Sequence, residues 1–273
     1  MGSMNSREIG GDRDAKERIV DAAVARLHRD GLTVALDGIS LEEAIADAGV
    51  ARATGYRRWP NRQDFARAVL VRVVREADLV PESEDTLAAI RTAVTEVVSA
   101  AERGEIHDPG RTAVVEALRI ATEADHRRLA ASHQWRDYLA LRVTCEGLPD
   151  EDLRGELTAE LRQAERAFAA HRGRTYARVT RALGYQVQVP GLGEDASLEL
   201  MSSTLEAMMS GLIISGDGSG DSAECFTSRA FGAEVDGEWT AASYALTSSF
   251  LTFLAPPAVP AVDADLRGVL TEL

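Results

Sequence analysis

The sequence predicts an all-α protein, and three observations carry that expectation. Apolar residues recur every three or four positions along most of the 273-residue chain. Helix caps and breakers punctuate those runs, and no segment shows sustained apolar/polar alternation except a short stretch at Gln186–Val189. At 45% hydrophobic and 27% charged residues, the chain has the composition of a folded domain with a sizeable core.

Taken in order, residues 1–14 are expected to be a tag remnant (Met1-Gly2-Ser3 ahead of Met4) and a disordered arm. Ile19, Val20, Ala23, Val24 and Leu27 then define a helix over about 15–29 that stops at Gly31. Ser40 followed by Glu43 is the pattern of a capping box, opening a short helix with Leu41, Ala44, Ile45 and Ala48 on its inner stripe. Gly49 ends it. A second short helix spans about 52–59, stopped by Pro60-Asn61, and Asn61 with Asp64 caps a third whose apolar face is Phe65, Val69 and Val73. Pro81-Glu82-Ser83 breaks the chain, so the expected domains are 1–78 and 79–273. Further helices are expected at 84–103, 110–146 with a break, 150–184, 197–215 and 239–254. The Gly-, Ser- and acid-rich stretch 216–238 reads as a long loop, and the chain after Pro256-Pro257 as a surface tail.

Charge is unevenly placed. The formal net charge is −14, yet residues 1–75 are net +2 and the remainder net −16. Between 50 and 75 stand seven arginines against one acid, Asp64. An acidic body repels nucleic acid, so phosphate contact must be confined to this small face. Two short helices joined through a glycine, with a third helix behind them, describe a helix-turn-helix. The candidate DNA contacts are Ser40, Arg52, Thr54, Tyr56, Arg57, Arg58 and Arg62: the arginines supply charge for phosphates or guanine edges, and Ser40, Thr54 and Tyr56 supply hydroxyl donors.

These residues resemble the tetracycline-repressor (TetR) family of bacterial regulators over about residues 15–70. The family pattern A-G-V-S-x-x-T-hydrophobic-Y-x-H-F-x-S-K-E-x-L is met by Ala48, Gly49, Val50, Thr54 and Tyr56. Trp59 stands for its Phe, Arg62 for its Lys and Phe65 for its Leu; Ala22-Ala23 and Gly31 also match. The departures are Ala51 in place of a Ser/Thr cap, Gly55 in place of a large apolar residue, an inverted Ala44-Ile45 pair, Arg58, and a longer 32–39 loop. The resemblance implies a ligand-responsive, homodimeric, cytoplasmic repressor that binds an inverted-repeat operator and is released by a small apolar effector. It implies no enzyme activity and no membrane partner. The alternatives are a constitutive DNA-binding regulator, and a helical enzyme or small-molecule carrier whose N-terminal domain only resembles a regulator.

For the effector pocket the candidates are His126, Trp135, Tyr138, Phe168, Tyr176 and Met208. For the dimer interface they are Met201, Leu205, Met209, Leu212, Leu246 and Phe250, from stripes on the last two helices. Other patterns carry less. GLGEDA (191–196) has dinucleotide-fingerprint spacing but follows a proline in helical surroundings, and so reads as a loop. Glu123 and His126 make one E-x-x-H where a di-iron bundle needs two, with His133 two turns from His126. Asp217, Asp221 and Glu224 lack the rest of a calcium loop. No catalytic, cofactor or metal motif emerges, and two distant cysteines, Cys145 and Cys225, suit a reducing compartment.

Overall fold

Helices dominate the computed structural model, as the periodicity predicts. It describes residues 6–30, 39–76, 84–148, 150–216 and 225–256. Ten helices occur among them, and the chain folds as two compact units. The first takes residues up to 79 plus 132–165, and the second takes 80–131 plus 166 onward. The 78/79 boundary expected from Pro81 lies outside the described residues, and 132–165 joins the N-terminal unit.

The first unit holds α1 (Ser6–Asp30), α2 (Leu41–Asp47), α3 (Arg52–Arg58), α4 (Arg62–Glu76), α7 (His133–Glu146) and the first half of α8 (Glu151–Ala182). Helix α1 begins at Ser6, well inside the stretch expected to be disordered. Its Ile19, Val20, Ala23 and Val24 are buried, and it packs on α2, α3, α4 and α7. Ser40 Oγ accepts from Glu43 N at 3.3 Å, but the reciprocal half of the capping box is absent. Instead the Glu43 carboxylate lies 3.4 Å from Arg26 Nε. Helix α2 ends in a Schellman turn: Val50 N–H reaches Ile45 O, Gly49 N–H reaches Ala46 O, and Gly49 takes φ +62°. Arg18 Nη2 donates to the remaining Ala48 carbonyl at 2.5 Å. Asn61 Oδ1 accepts from Gln63 N at 2.9 Å and so caps α4.

The second unit holds α5 (Glu84–Glu102), α6 (Pro109–Ala131), the rest of α8, α9 (Glu194–Ser215) and α10 (Ala241–Leu251). Helix α6 is buried around most of its circumference, as expected of a central helix against which α5, α9 and α10 pack. The break expected within 110–146 falls at Ser132, whose side chain accepts from Trp135 N and starts α7. The stretch at Gln186–Val189 yields β1 (Gln186–Val187), antiparallel to β4 (Leu254–Ala255). The GLGEDA loop therefore follows an antiparallel pair, not a parallel βαβ unit, and Gly193 caps α9 without a side-chain bond.

The 216–238 stretch departs from expectation. Residues 217–224, with Asp217, Asp221 and Glu224, lie outside the described residues. Beyond them β2 (Phe226–Ser228) and β3 (Gly237–Trp239) form a hairpin. Trp239 is fully buried and donates from Nε1 to Ser228 O. Side chains of α6 hold the hairpin: Arg111 Nε donates to Phe231 O at 2.7 Å and Arg119 Nη1 to Glu238 O at 3.1 Å. Returning the contact, Glu234 accepts from His107 N and Asp108 N at the start of α6, and these bonds hold its carboxyl below the usual carboxylate range.

Two departures from the family pattern explain each other. A Cβ built at Gly55 would collide with the Ile45 side chain, which is 3% exposed and fills that space. The inverted Ala44-Ile45 pair therefore supplies from α2 the apolar anchor that α3 lacks. Replacing Gly55 with Ala should destabilise by about 1–3 kcal/mol through overpacking, despite alanine's ~1 kcal/mol advantage within a helix. In an Ile45→Ala background the same change should become stabilising. Urea denaturation of the four proteins checks this; additive effects would exclude the contact.

Candidate functional site

On the first unit, α3 presents the residues expected to meet DNA. Arg52, Tyr56 and Arg57 are exposed, Tyr56 at 44%, while Thr54 and Arg58 are half-buried. Arg62 is exposed in the first turn of α4. The inner side of α3 is Gly55, and Trp59 follows it, 5% exposed. The Trp59 ring meets Phe65 edge-on at 5.5 Å, and Lys16 Nζ lies 4.2 Å from its centroid. Arg52 ion-pairs with Glu42 of α2 and sits 6.0 Å from the Tyr56 ring. Farther along α4 the arginines are committed to acids: Arg67 to Glu156, Arg72 to Asp21 at 3.0 Å and Arg75 to Glu160 at 2.6 Å. Ser40, half-buried, accepts from Glu43 N through its Oγ and so caps α2.

The pocket candidates separate. Trp135 and Tyr138, buried in the first unit, pack ring to ring at 4.9 Å, and Tyr138 Oη donates to Glu165 at 2.7 Å. Neither lines the cavities described next. Phe168 and Tyr176 do: with Arg172, Met201, Ser202, Leu205 and Glu206 they line a small cavity between α8 and α9, open in part to solvent, with room of about 20 Å3. Tyr176 also borders a second of similar room, about 20 Å3, with Ile90, Leu118, Asp125 and Val179. Met208 is half-buried and borders neither.

Between the two cavities lies a polar cluster that the sequence reading missed. Asp125, 2% exposed, accepts from Arg128 Nη2 at 2.6 Å, Arg172 Nη2 at 2.7 Å and Tyr176 Oη at 2.7 Å. Burial pushes the Tyr176 hydroxyl well above its ordinary pKa, so it stays a donor. Arg172 is firmly charged: burial opposes ionisation, but Asp125 outweighs it. The available signal was an acid at helical spacing inside an apolar stripe (Leu118, Thr122, Asp125, Leu129), facing Phe168, Arg172 and Tyr176 spaced by four.

Most of the expected dimer stripe already lies in the core of its own chain. Met201, Phe250, Met209, Leu246 and Leu205 are 0, 0, 1, 1 and 8% exposed. Only Leu212 among the six keeps a partly open side chain. The accessible face of α9 is instead Leu200, Ala207, Met208, Gly211, Leu212 and Ile214, with Leu200 43% and Ile214 66% exposed.

The E-x-x-H pair is not a ligand set. Glu123 accepts from Thr240 Oγ1 and pairs with Arg127 at 2.6 Å. Among the described residues no three His, Cys, Asp or Glu could hold a metal ion, and no helix is long and apolar enough to cross a membrane. Burial pushes the Cys145 thiol up to about 11, which suits packing better than nucleophilic chemistry. Comparison with known proteins assigns no family: no protein-family model matches the sequence, and no curated protein matches it significantly.

His126 is fully buried on α6, and neither ring nitrogen makes a hydrogen bond. Burial lowers its pKa, Glu123 raising and Arg127 lowering it less. Because the folded value lies below the unfolded one, near 6.5, the unfolded chain protonates first as pH falls. Stability tied to His126 is therefore complete above about pH 7.5 and drains away below about 6.5. His126→Leu should be neutral or stabilising at pH 7.5, and its advantage should grow as the pH falls towards 5.5. Thermal denaturation at both pH values measures this; parallel losses in the two proteins would count against it.

Proposed function

We propose that this protein is a dimeric, ligand-responsive, sequence-specific DNA-binding regulator of the tetracycline-repressor type, acting as a repressor. One observation carries the reading: a glycine-turned pair of short helices packs its inner side on α1 and turns Arg52, Tyr56 and Arg57 outward, with Arg62 beside them. In a helix-turn-helix, α3 enters the major groove. Arg57 and Arg62 then grip phosphates, while Arg52, at the start of α3, reaches base edges after exchanging its Glu42 partner. At least four of the seven arginines in 50–75 already answer acids, Arg52 among them, so the contact surface is narrow.

Seven residues of recognition helix touch only a few base pairs, so useful affinity needs two copies one helical turn, about 34–36 Å, or a multiple of it apart. The outer face of α9 supports a second copy as that partner. From Ala207 to Ser215 it carries no charge, and Gly211 allows close approach. Two-fold pairing through such a face is self-complementary.

Ligand control would act through the second unit, by favouring a spacing of the DNA-binding units that no longer fits the operator. By reciprocity, operator binding must then weaken the ligand by the same factor.

Selection from a random duplex pool should return an inverted repeat, and recovery of no preferred sequence would remove the reading. Arg57→Ala with Arg62→Ala should weaken binding to all sequences alike and flatten the salt dependence by about two contacts. Leu212→Glu or Ile214→Glu should give a folded monomer by sedimentation, with operator affinity greatly reduced. Charge at Met209 would test only the chain's own core.

A further inference from the structure

We propose that Lys16 of α1 is a further contact to duplex DNA, its ammonium guided by the face of Trp59 to a backbone phosphate next to the one gripped by Arg62. The contact deepens the regulatory reading above and rests on it.

Of the 30 basic residues in the chain only Lys16 is a lysine, and it stands exposed on α1. Its Nζ lies 4.2 Å from the centroid of the Trp59 ring. That ring is itself fixed. Trp59 is 5% exposed, its N–H donates to Gly55 O in the last turn of α3 at 2.9 Å, and its ring meets Phe65 of α4 edge-on at 5.5 Å. Helix α1 therefore delivers a cation to the junction of α3 and α4. Arg62 is three residues beyond Trp59, so their Cα atoms are at most about 11 Å apart. One DNA strand carries a charge every ~3.4 Å of helix axis, so that distance covers about three phosphates.

The charge of Lys16 is not answered within the protein. Among the described residues it pairs with no carboxylate, whereas Arg52, Arg67, Arg72 and Arg75 each answer an acid. Nor do the acids of α1 intervene. Asp14 and Glu17, two and one positions away, do not share its side of the helix, and Asp21 is engaged by Arg72 at 3.0 Å. An aromatic face attracts an ammonium but carries no net charge, so it guides the cation without neutralising it. Exposed contacts of this kind are weak, and a phosphate oxygen, with its full charge and directed hydrogen bonds, draws the ammonium from the ring. A lysine suits that exchange, because a compact ammonium on a flexible stem can turn its three donors from one partner to the other.

The test measures the affinity of the full chain for a fluorescent duplex of arbitrary sequence between about 50 and 200 mM salt. For Lys16→Gln the plot of log affinity against log salt should flatten by about one contact, with binding about three- to tenfold weaker. Lys16→Arg should restore the slope of the parent. Because Lys16 is exposed, both variants should melt as the parent does. Selection from a random pool by Lys16→Gln should return the sequence that the parent returns, since a phosphate contact carries no base information. An unchanged slope in Lys16→Gln, a loss that Lys16→Arg does not repair, or an altered base preference would each overturn the contact. A slope that falls in Arg57→Ala with Arg62→Ala but not in Lys16→Gln keeps the regulatory reading and removes only Lys16. No duplex binding by the parent at about 50 mM salt removes both.

Discussion

One carboxylate organises the second unit. Asp125 stands at 2% exposure on α6 and takes three donors, two of them from α8. The pairing fixes the rotation of α8 about its axis, because Arg172 and Tyr176 are one turn apart and both must reach the same oxygen. It also orients the Tyr176 ring, which packs at 4.8 Å on Phe250 of α10 and forms a wall of both cavities. A buried ionic cluster of this kind is weak evidence for stability, since desolvation offsets much of the attraction. Its consequence here is geometric. An apolar residue at 125 would allow α8 to settle in several registers, whereas two directed bonds from α8 allow one.

The first unit reaches definition by shape instead of charge. Ile45 of α2 occupies the space that a side chain at position 55 would need, so the separation and rotation of α2 and α3 are coupled through one contact. Arg18 closes the end of α2 from α1, and Gly49 alone in the turn adopts the left-handed conformation that the Schellman geometry requires. Helix α3 has no side-chain cap at Ala51 and spans seven residues, so its helicity depends on packing and not on its own propensity.

The helices were legible because their signals are local: periodic apolar faces, Asn61 as a cap, Gly49 as a stop. What was illegible depends on partners distant in sequence. The β2–β3 hairpin looked like a loop because its composition is that of one, and its backbone is held by Arg111 and Arg119, more than a hundred positions away. The stripe assigned to the dimer followed the right periodicity, but periodicity cannot say whether a helix faces its own core or a second chain; Met201 and Phe250 face their own. The aromatic pocket set mixed residues of both units for the same reason. Phe168 and Tyr176 line a cavity, whereas Trp135 and Tyr138 serve packing elsewhere. Asp125 and Arg172 were overlooked because single charges in apolar stripes are easily read as solvent-facing.

The acidity of the chain decides how narrow any DNA contact must be. Residues 76–273 are net −16 and residues 1–75 net +2, so phosphates are repelled by most of the sequence and drawn only to the basic residues on and beside α3 and at the start of α4. Arg67, Arg72 and Arg75, farther along α4, already answer acids, and Arg52 must exchange Glu42 before it can reach a base edge. If α3 enters the groove as proposed, each phosphate neutralised by a basic side chain releases counterions whose entropy falls in value as salt rises, so a contact this small on a body this acidic should be steeply salt-dependent.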